Sequence, residues 1–189
     1  WSSDVCSSDL AHRLVVRSEQ GNEEDTERFL QALDVLSRSC DTVVIDTPGS
    51  DAPLSRLAHS YADTLVTPMN DSFVDLDLIG QVDPVTYKVT RPSFYAELIW
   101  DARKARAKEE GTTIDWVVLR NRLQHIEARN MRRVSDALTQ LSKRVGFRII
   151  PGLGERVIYR ELFPTGLTMI DAKEFGAMGL GHDASRQEL

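Results

Sequence analysis

The stretch TVVIDTPG, residues Thr42 to Gly49, decides the expected fold. Its β-branched, apolar first half predicts a short strand buried on both faces, as in a parallel sheet covered by helices. Asp46 would then stand at the carboxyl end of that strand. Ligands of phosphate-binding α/β proteins sit there, and an aspartate commonly holds the water shell of a magnesium ion. Gly49 has no side chain, so its N–H can come close to a terminal phosphate.

The same octapeptide would also suit an ordinary exit from a strand into a loop, because Asp, Pro and Gly are common turn residues. A nucleotide hydrolase also needs a glycine-rich, lysine-bearing phosphate loop, and none precedes Thr42 in the sequence. The octapeptide therefore matches one of the two phosphate-binding motifs that such an enzyme needs.

The first ten residues, WSSDVCSSDL, have neither helix or strand periodicity nor the layout of a signal peptide. They match, residue for residue, the translation of a common sequencing-library adapter. We expect residues 1–10 to be a non-native tail and the natural chain to begin near Ala11, inside a gene. A polar disordered tail at this position would leave the functional argument unchanged.

Composition limits the classes of protein that fit. The 189 residues carry a formal net charge of −6, and leaving out Asp4 and Asp9 of the first ten reduces it to −4. This mild acidity argues against attraction of the whole surface to nucleic acid, although it allows local basic patches. With Cys6 in the adapter-like segment, Cys40 is the only remaining cysteine, so an intramolecular disulfide and a thiolate-held cluster within one chain are excluded. No apolar stretch approaches the roughly 18 to 20 residues that span a bilayer, so we expect a cytoplasmic protein with no integral membrane segment.

Predicted helices and strands alternate along the chain. The helices are predicted at Glu23 to Ser39, Pro53 to Ala62, Asn70 to Val89, Ser93 to Gly111, Glu127 to Val145 and Glu155 to Phe163. The strands are predicted at Thr42 to Asp46, Thr64 to Thr67, Asp115 to Leu119 and Phe147 to Ile150. Pro84 is expected to kink or end the third helix. This alternation predicts one α/β domain, with a mostly parallel sheet flanked by helices.

The predicted helix Glu127 to Val145 has an apolar stripe and, outside it, a basic face. The stripe consists of Met131, Val134, Leu138, Leu141 and Val145. The basic residues are Arg129, Arg132, Arg133, Lys143 and Arg144. Such residues could contact DNA phosphates with salt-sensitive, sequence-independent affinity, or simply solvate a face that also bears Asp136. No aromatic residues are interleaved for base stacking, which favours double-stranded over single-stranded nucleic acid.

Four longer segments carry a family resemblance. They are TPMNDSFVDLDLIGQVDPVT, DWVVLRNRL, KRVGFRI and ERVIYRELFPTGLT, in the expected order. Together they closely resemble the MipZ family of division-plane positioning ATPases, in the ParA/MinD superfamily of P-loop NTPases. The resemblance covers about Leu14 to about Met169 and weakens after Ile170. It implies that residues 11–189 are a partial ParA/MinD-type ATPase domain lacking its first strands.

The resemblance also implies roles for residues at the phosphate end of a nucleotide. Asp46 matches the acidic residue that ends the family's Walker B strand, which is expected to act on the shell of Mg²⁺ and on the attacking water. Thr47, Pro48 and Gly49 match the switch segment that senses the terminal phosphate.

At the base end, Asn121 and Arg122 match the family's Asn-Arg pair, which lies beside the adenine of ATP. An amide there can distinguish a purine edge. Pro151 begins the loop that closes over the base.

For the intact family protein, the resemblance implies an ATP-bound homodimer that binds non-specific double-stranded DNA and the partition protein ParB. It also implies inhibition of FtsZ assembly away from midcell, and a nucleoid-associated or polar gradient in the cytoplasm.

The family's Walker A loop, with its two lysines, should precede Leu14 but is not in the sequence. Because that loop supplies much of the stabilisation in phosphoryl transfer, we expect this chain alone to bind ATP poorly and not to hydrolyse it. The strand expected with that loop lies centrally in the fold, so its neighbours would be left with unpaired backbone groups.

Three other classes of protein are alternatives to a MipZ-like ATPase. Small GTPases use an Asn-Lys-x-Asp element for guanine, which RNRL at Arg120 to Leu123 does not supply. Nitrogenase-type iron proteins bridge two subunits with a cysteine-bound cluster, for which Cys40 offers no match. The stronger alternative is a non-catalytic module that binds DNA or a partner protein and has lost nucleotide hydrolysis, as the basic helix face suggests.

Overall fold

The computed structural model describes residues 23–83, 85–86, 88–123, 129–162, 164 and 166–167. The elements are α1 (Glu23–Ser39), α2 (Pro53–Tyr61), β1 (Thr64–Asn70), α3 (Phe73–Asp77), β2 (Gly80–Val82), β3 (Val89–Pro92), α4 (Phe94–Glu110), β4 (Asp115–Asn121), α5 (Arg129–Val145), β5 (Arg148–Ile150) and α6 (Val157–Leu162). The adapter-like residues 1–10, Pro84 and the chain beyond residue 167 lie outside the described residues.

The central sheet of the described residues has three strands in the order β1-β4-β5, and both pairings are parallel. The register of β1 on β4 runs from Thr64 opposite Asp115 to Asn70 opposite Asn121. The predicted α/β class with a parallel sheet flanked by helices is therefore confirmed.

The main core lies between the sheet and helices α3, α4 and α5. Trp116 on β4 is its largest fully buried side chain and packs against Phe147 with ring centroids 5.1 Å apart. The indole N–H of Trp116 donates to Thr67 Oγ at 3.0 Å, which satisfies its one polar group. Four of the five stripe residues predicted on α5 are buried, since only Met131 remains partly exposed.

Local capping chemistry fixes the ends of α4 and the end of α5. The Ser93 side chain accepts a hydrogen bond from the Ala96 N–H at 3.2 Å and so caps the start of α4. Gly111 ends α4 in the left-handed region, with φ 72°, and Gly146 follows α5 with φ 82°. The predicted boundaries of α4 hold because these signals are local.

The predicted strand at Thr42 to Asp46 is wrong. Residues 42–48 form no regular structure, and Val44 is 88% exposed. A strand exists only if a neighbouring strand satisfies its N–H and C=O groups, and β1 forms the edge of the described sheet with β4 as its single partner. The apolar composition of residues 42–46 favours a strand but does not by itself provide a neighbouring strand to pair with.

The predicted helix from Asn70 to Val89 is also wrong in length. Ser72 caps a helix, α3, as expected, but α3 ends at Asp77 and an antiparallel hairpin of β2 and β3 follows. Gly80, the first residue of β2, lies so close to α5 that a Cβ at this position would collide with the Leu141 side chain. Tertiary packing therefore overrides the helical spacing of the apolar residues.

Candidate nucleotide-binding edge

The carboxyl ends of the three parallel strands form one edge of the sheet. β1 and β4 end in register at Asn70 and Asn121, and β5 ends where Ile150 lies opposite Leu119. Pro151 follows Ile150 directly. The structure therefore brings Asn121, Arg122 and Pro151 to a common edge, the one at which open α/β sheets bind ligands.

Main-chain hydrogen bonds join the loop after β5 to the end of β4. The Leu153 N–H donates to the Arg120 carbonyl at 2.9 Å, and the Leu123 N–H donates to the Leu153 carbonyl at 3.0 Å. The Glu155 N–H donates to the Leu123 carbonyl at 2.9 Å. A Cβ added to Gly152 would lie 2.6 Å from the Arg120 oxygen, so the two segments are in close main-chain contact. We call residues 151–155 the base loop.

Asn121 and Arg122 form a local turn at this edge. The side-chain oxygen of Asn121 accepts a hydrogen bond from the Arg122 N–H at 2.9 Å. Arg122 has φ 53°, the one positive φ of a non-glycine residue in the described part of the chain. The bond from the Arg122 N–H uses one of the two lone pairs of the Asn121 oxygen, and the Asn121 NH₂ group can act only as a donor towards a ligand.

An ion pair that the sequence analysis missed lies at the same edge. Arg120 donates to Asp71 Oδ1 from Nε at 3.1 Å and from Nη2 at 2.6 Å. Both side chains are largely shielded, with 15% of Arg120 and 11% of Asp71 exposed. No local sequence pattern at Asp71 indicates a partner 49 positions away.

Asp46, Thr47 and Gly49 lie on the irregular segment between α1 and α2, outside the three strands that form this edge. Asp46 and Gly49 are exposed and Thr47 is partly exposed. A Cβ on Gly49 would meet no atom within 4 Å. No hydrogen bond, ion pair or strand pairing among the described residues joins this segment to Asn121 or to the base loop.

Helix α2, which follows that segment, is anchored on α4. Asp51 accepts hydrogen bonds from the Arg56 guanidinium, which holds the pKa of the Asp51 carboxyl below its ordinary value. The same guanidinium lies over the Phe94 ring, 5.7 Å from its centroid. His59 meets the Tyr95 ring edge to face at 6.1 Å, and burial lowers the pKa of its imidazole.

The basic face of α5 is only partly available. Arg132 and Lys143 are exposed and Arg133 is partly exposed. Arg144 is exposed but donates to the carbonyls of Val89 at 3.0 Å and Thr90 at 3.4 Å, which ties it to β3. The side chain of Arg129 lies outside the described residues.

The second half of α4, residues 101–110, is rich in charged side chains, and some of them are shielded from solvent. Arg106 has only 13% of its side chain exposed and bonds to Asp63 at 2.6 Å as well as to Glu110 at 3.0 Å. Arg103 donates to the Gly146 carbonyl at 2.8 Å. These arginines join α4 to neighbouring segments.

The described residues hold neither a cluster of metal ligands nor a membrane-spanning helix. They contain no group of three or more His, Cys, Asp or Glu side chains placed to hold a metal ion. No helix among them is long and apolar enough to cross a bilayer.

A parallel sheet flanked by helices, with polar groups gathered at the carboxyl ends of its strands, defines an α/β protein with a candidate ligand-binding edge. The chain belongs to the ATPase MipZ family, whose model matches residues 5–189. That match begins inside the ten residues expected to be non-native.

A solved structure, titled as that of apo McdA from Cyanthece, has a similar fold. The TM-score is 0.57 at 17% sequence identity, over 84% of this chain and 54% of that chain. The chain thus spans about half the length of that protein, and the similarity shows the fold alone. No curated protein matches the chain.

Proposed function

We propose that this chain carries the adenine-binding edge and the magnesium-directed acid of a MipZ-family ATPase. The observation that supports the base end is the joined edge of β4 and β5. Asn121 and Arg122 lie beside a base loop that three main-chain hydrogen bonds attach to Arg120 in β4 and to Leu123 just beyond it. An edge assembled before the ligand arrives costs less ordering on binding.

The residues at this edge fit a purine. The NH₂ group of Asn121 can donate to a ring nitrogen, and the bond from the Arg122 N–H to the Asn121 oxygen at 2.9 Å restrains the amide. The planar guanidinium of Arg122 can stack on a base and the apolar ring of Pro151 can pack against one, and both residues are exposed.

At the phosphate end, the proposal assigns one carboxylate to magnesium. Asp46 is exposed and would act through a water of the ion's shell rather than as part of a protein cage, which is the usual way Mg²⁺ is held beside a nucleotide. Bound Mg²⁺ would neutralise charge on the phosphates. Thr47 and Gly49 would sense the terminal phosphate.

For the whole protein, family membership supports a wider proposal. ATP binding would drive homodimerisation, and the dimer would bind double-stranded DNA without sequence preference. It would interact with ParB and position the division plane by inhibiting FtsZ assembly. The protein would act in the cytoplasm, as a nucleoid-associated or polar gradient.

The direct test is an NMR titration of the ¹⁵N-labelled chain with ATP and with GTP, each with Mg²⁺, because chemical shifts detect weak binding. ATP should shift the amide signals of residues 121–123 and 152–155 more than GTP does. Asn121→Ala should reduce the ATP-induced shifts while leaving the remaining spectrum intact. Equal responses to the two nucleotides, or shifts confined to other residues, would overturn the adenine assignment.

A second candidate function is a non-catalytic module that binds DNA or a partner protein. The exposed Arg132 and Lys143 on one face of α5 favour it. It predicts that the chain binds duplex DNA in the absence of nucleotide, with affinity that falls steeply as salt rises. The ATPase proposal instead expects DNA retention to depend on ATP in the protein that carries a phosphate loop.

A further inference from the structure

Arg120 contacts both the segment that follows β1 and the segment that follows β5. Its guanidinium donates twice to Asp71, the first residue after β1. Its carbonyl accepts the Leu153 N–H of the base loop at 2.9 Å. Asn121, the proposed base-reading residue, is its immediate neighbour on β4.

The Asp71–Arg120 pair differs from the other ion pair on β4. Asp115, at the amino end of the strand, pairs with Arg148, but those side chains are 44% and 59% exposed. Pairs that are open to water contribute little to stability. Asp71 and Arg120 are only 11% and 15% exposed, so each charge depends much more on its partner.

We propose that Asp71 and Arg120 form a positioning clamp that holds Asn121 and the base loop in the geometry for adenine. The inference rests on the proposed adenine site and identifies what maintains its selectivity. Neither side chain of the clamp needs to touch the nucleotide. Asp71 fixes the Arg120 side chain, and the Arg120 main chain fixes the loop that closes over the base.

The clamp has a physical consequence that can be measured without nucleotide. If Asp71 loses its charge, the shielded guanidinium of Arg120 lacks a counter-ion and will move towards water. The Arg120 carbonyl then shifts relative to Leu153 and Gly152, whose contacts with it are close. Small displacements of positioning groups have large effects on recognition.

Asp71→Asn removes the charge with little change in shape. In the purified chain, we expect the amide hydrogens of Leu123, Leu153 and Glu155 to exchange about tenfold faster, because their hydrogen bonds open more often. In the NMR titration, the preference for ATP over GTP should fall. Asp71→Glu, which restores the charge, should recover part of both effects.

Asp115→Asn is the matched control, because it makes the same substitution in an Asp–Arg pair at the opposite end of β4. It should leave both the exchange of the base loop and the nucleotide preference unchanged. If Asp71→Asn fails to fold, Arg120→Lys keeps the charge but removes the two-donor fork, and the same two measurements apply.

The outcomes separate the clamp from the function on which it rests. Unchanged amide exchange in Asp71→Asn overturns the clamp whatever the nucleotide result. Faster exchange with an unchanged ATP preference also overturns it, because the pair would then be merely structural. If the unmodified chain shows no preference for ATP, the adenine site fails, while faster exchange would still show that the pair holds the base loop.

Discussion

The side-chain oxygen of Asn121 accepts a hydrogen bond from the main-chain N–H of Arg122, and Arg122 adopts a left-handed backbone conformation with φ 53°. An L-residue in this region is disfavoured relative to glycine by about 1 kcal/mol. The turn therefore carries a small local cost at the place where a purine would bind. Such costs recur at functional sites, where the surrounding structure maintains them.

Arg122→Gly separates stability from recognition. Glycine accepts φ 53° without strain but gains freedom in the unfolded chain, so we expect the free energy of unfolding to stay within about 1 kcal/mol of its original value. Nucleotide-induced shifts at the base loop should weaken because the guanidinium is lost. Urea unfolding and the NMR titration measure the two effects. A large loss of stability would mean that the Arg122 side chain is structural.

Gly152→Ala should damage the base loop. The added methyl group would lie 2.6 Å from the Arg120 carbonyl, and that main-chain oxygen cannot move aside cheaply. We expect destabilisation of about 1 to 3 kcal/mol, or displacement of residues 151–155, measurable by urea unfolding and amide exchange.

Gly49→Ala is the matched control for Gly152→Ala, because a Cβ at Gly49 meets nothing within 4 Å. Stability should stay within about 0.5 kcal/mol of the original value, as is usual for surface substitutions. Equal damage from both substitutions would show that the close contact at Gly152 is not decisive.

Asp46→Ala tests the acid proposed for magnesium. The Asp46 side chain is exposed, so its removal should leave the urea midpoint nearly unchanged. In the chain extended at its amino terminus with the family's phosphate-loop strand, hydrolysis of ATP should be abolished. Phosphate release measures this, and unchanged turnover would reject the role. Asp41→Ala, another exposed acid in the same region, is the control.

Reversing charge at Arg132 and Arg133 tests the basic face of α5. If both contact phosphates, the double Glu variant should weaken DNA retention and reduce the slope of log K against log salt by about 2. Binding to duplex DNA measured across a salt series gives that slope. Lys108→Glu on the exposed end of α4 is the control. If the double variant and Lys108→Glu show the same salt dependence, the two arginines are not part of the DNA face.

Arg144 should behave differently from its neighbour Lys143. Its guanidinium donates to the Val89 and Thr90 carbonyls, so Arg144→Glu should destabilise the contact between α5 and β3 as well as change any DNA binding. Thermal unfolding distinguishes it from Lys143→Glu, which should change DNA binding with little loss of stability. Equal melting temperatures in the two variants would contradict this role for Arg144.

His59 should make stability depend on pH below neutrality. Burial against Tyr95 lowers the pKa of the folded imidazole, although the nearby Asp51 charge partly opposes that shift. The unfolded chain then binds the proton more readily, so stability is lost as pH falls from about 6.5 towards the folded pKa. Carboxylates with lowered pKa values, such as Asp83 and Asp115, lose their contribution only at lower pH.

Urea midpoints between about pH 7 and pH 5 measure this effect, because that window contains the ordinary titration of histidine but not that of most carboxylates. The decline in His59→Gln should be smaller than in the original chain. An identical decline in both would assign the pH dependence to other groups.

The parts of this fold that the sequence predicted are those defined by local chemistry. Ser93 caps α4 and Gly111 ends it, and both signals lie within a few residues of the helix they bound. The α5 stripe was predicted because one helix face packs on one core. In contrast, the apolar run at residues 42–46 has no neighbouring strand among the described residues. The spacing of apolar residues in a sequence does not show whether such a neighbour exists.

The candidate edge shows the same division. Residues that follow strands, such as Asn121 and Pro151, could be placed at the edge from the strand prediction alone. The Asp71–Arg120 pair could not, because a salt bridge between segments 49 residues apart depends on the register of β1 on β4. The roles of Asp46, Asn121 and Arg122 in nucleotide chemistry remain predictions.

Gly80 has a consequence for where the basic helix lies. The Leu141 methyl groups of α5 occupy the space that a side chain at Gly80 would need, so helix and hairpin meet main chain to methyl. The close approach of α5 to the hairpin therefore depends on a side chain that is missing. Adding even one carbon at Gly80 would force the buried Leu141 side chain to move and would disturb this contact.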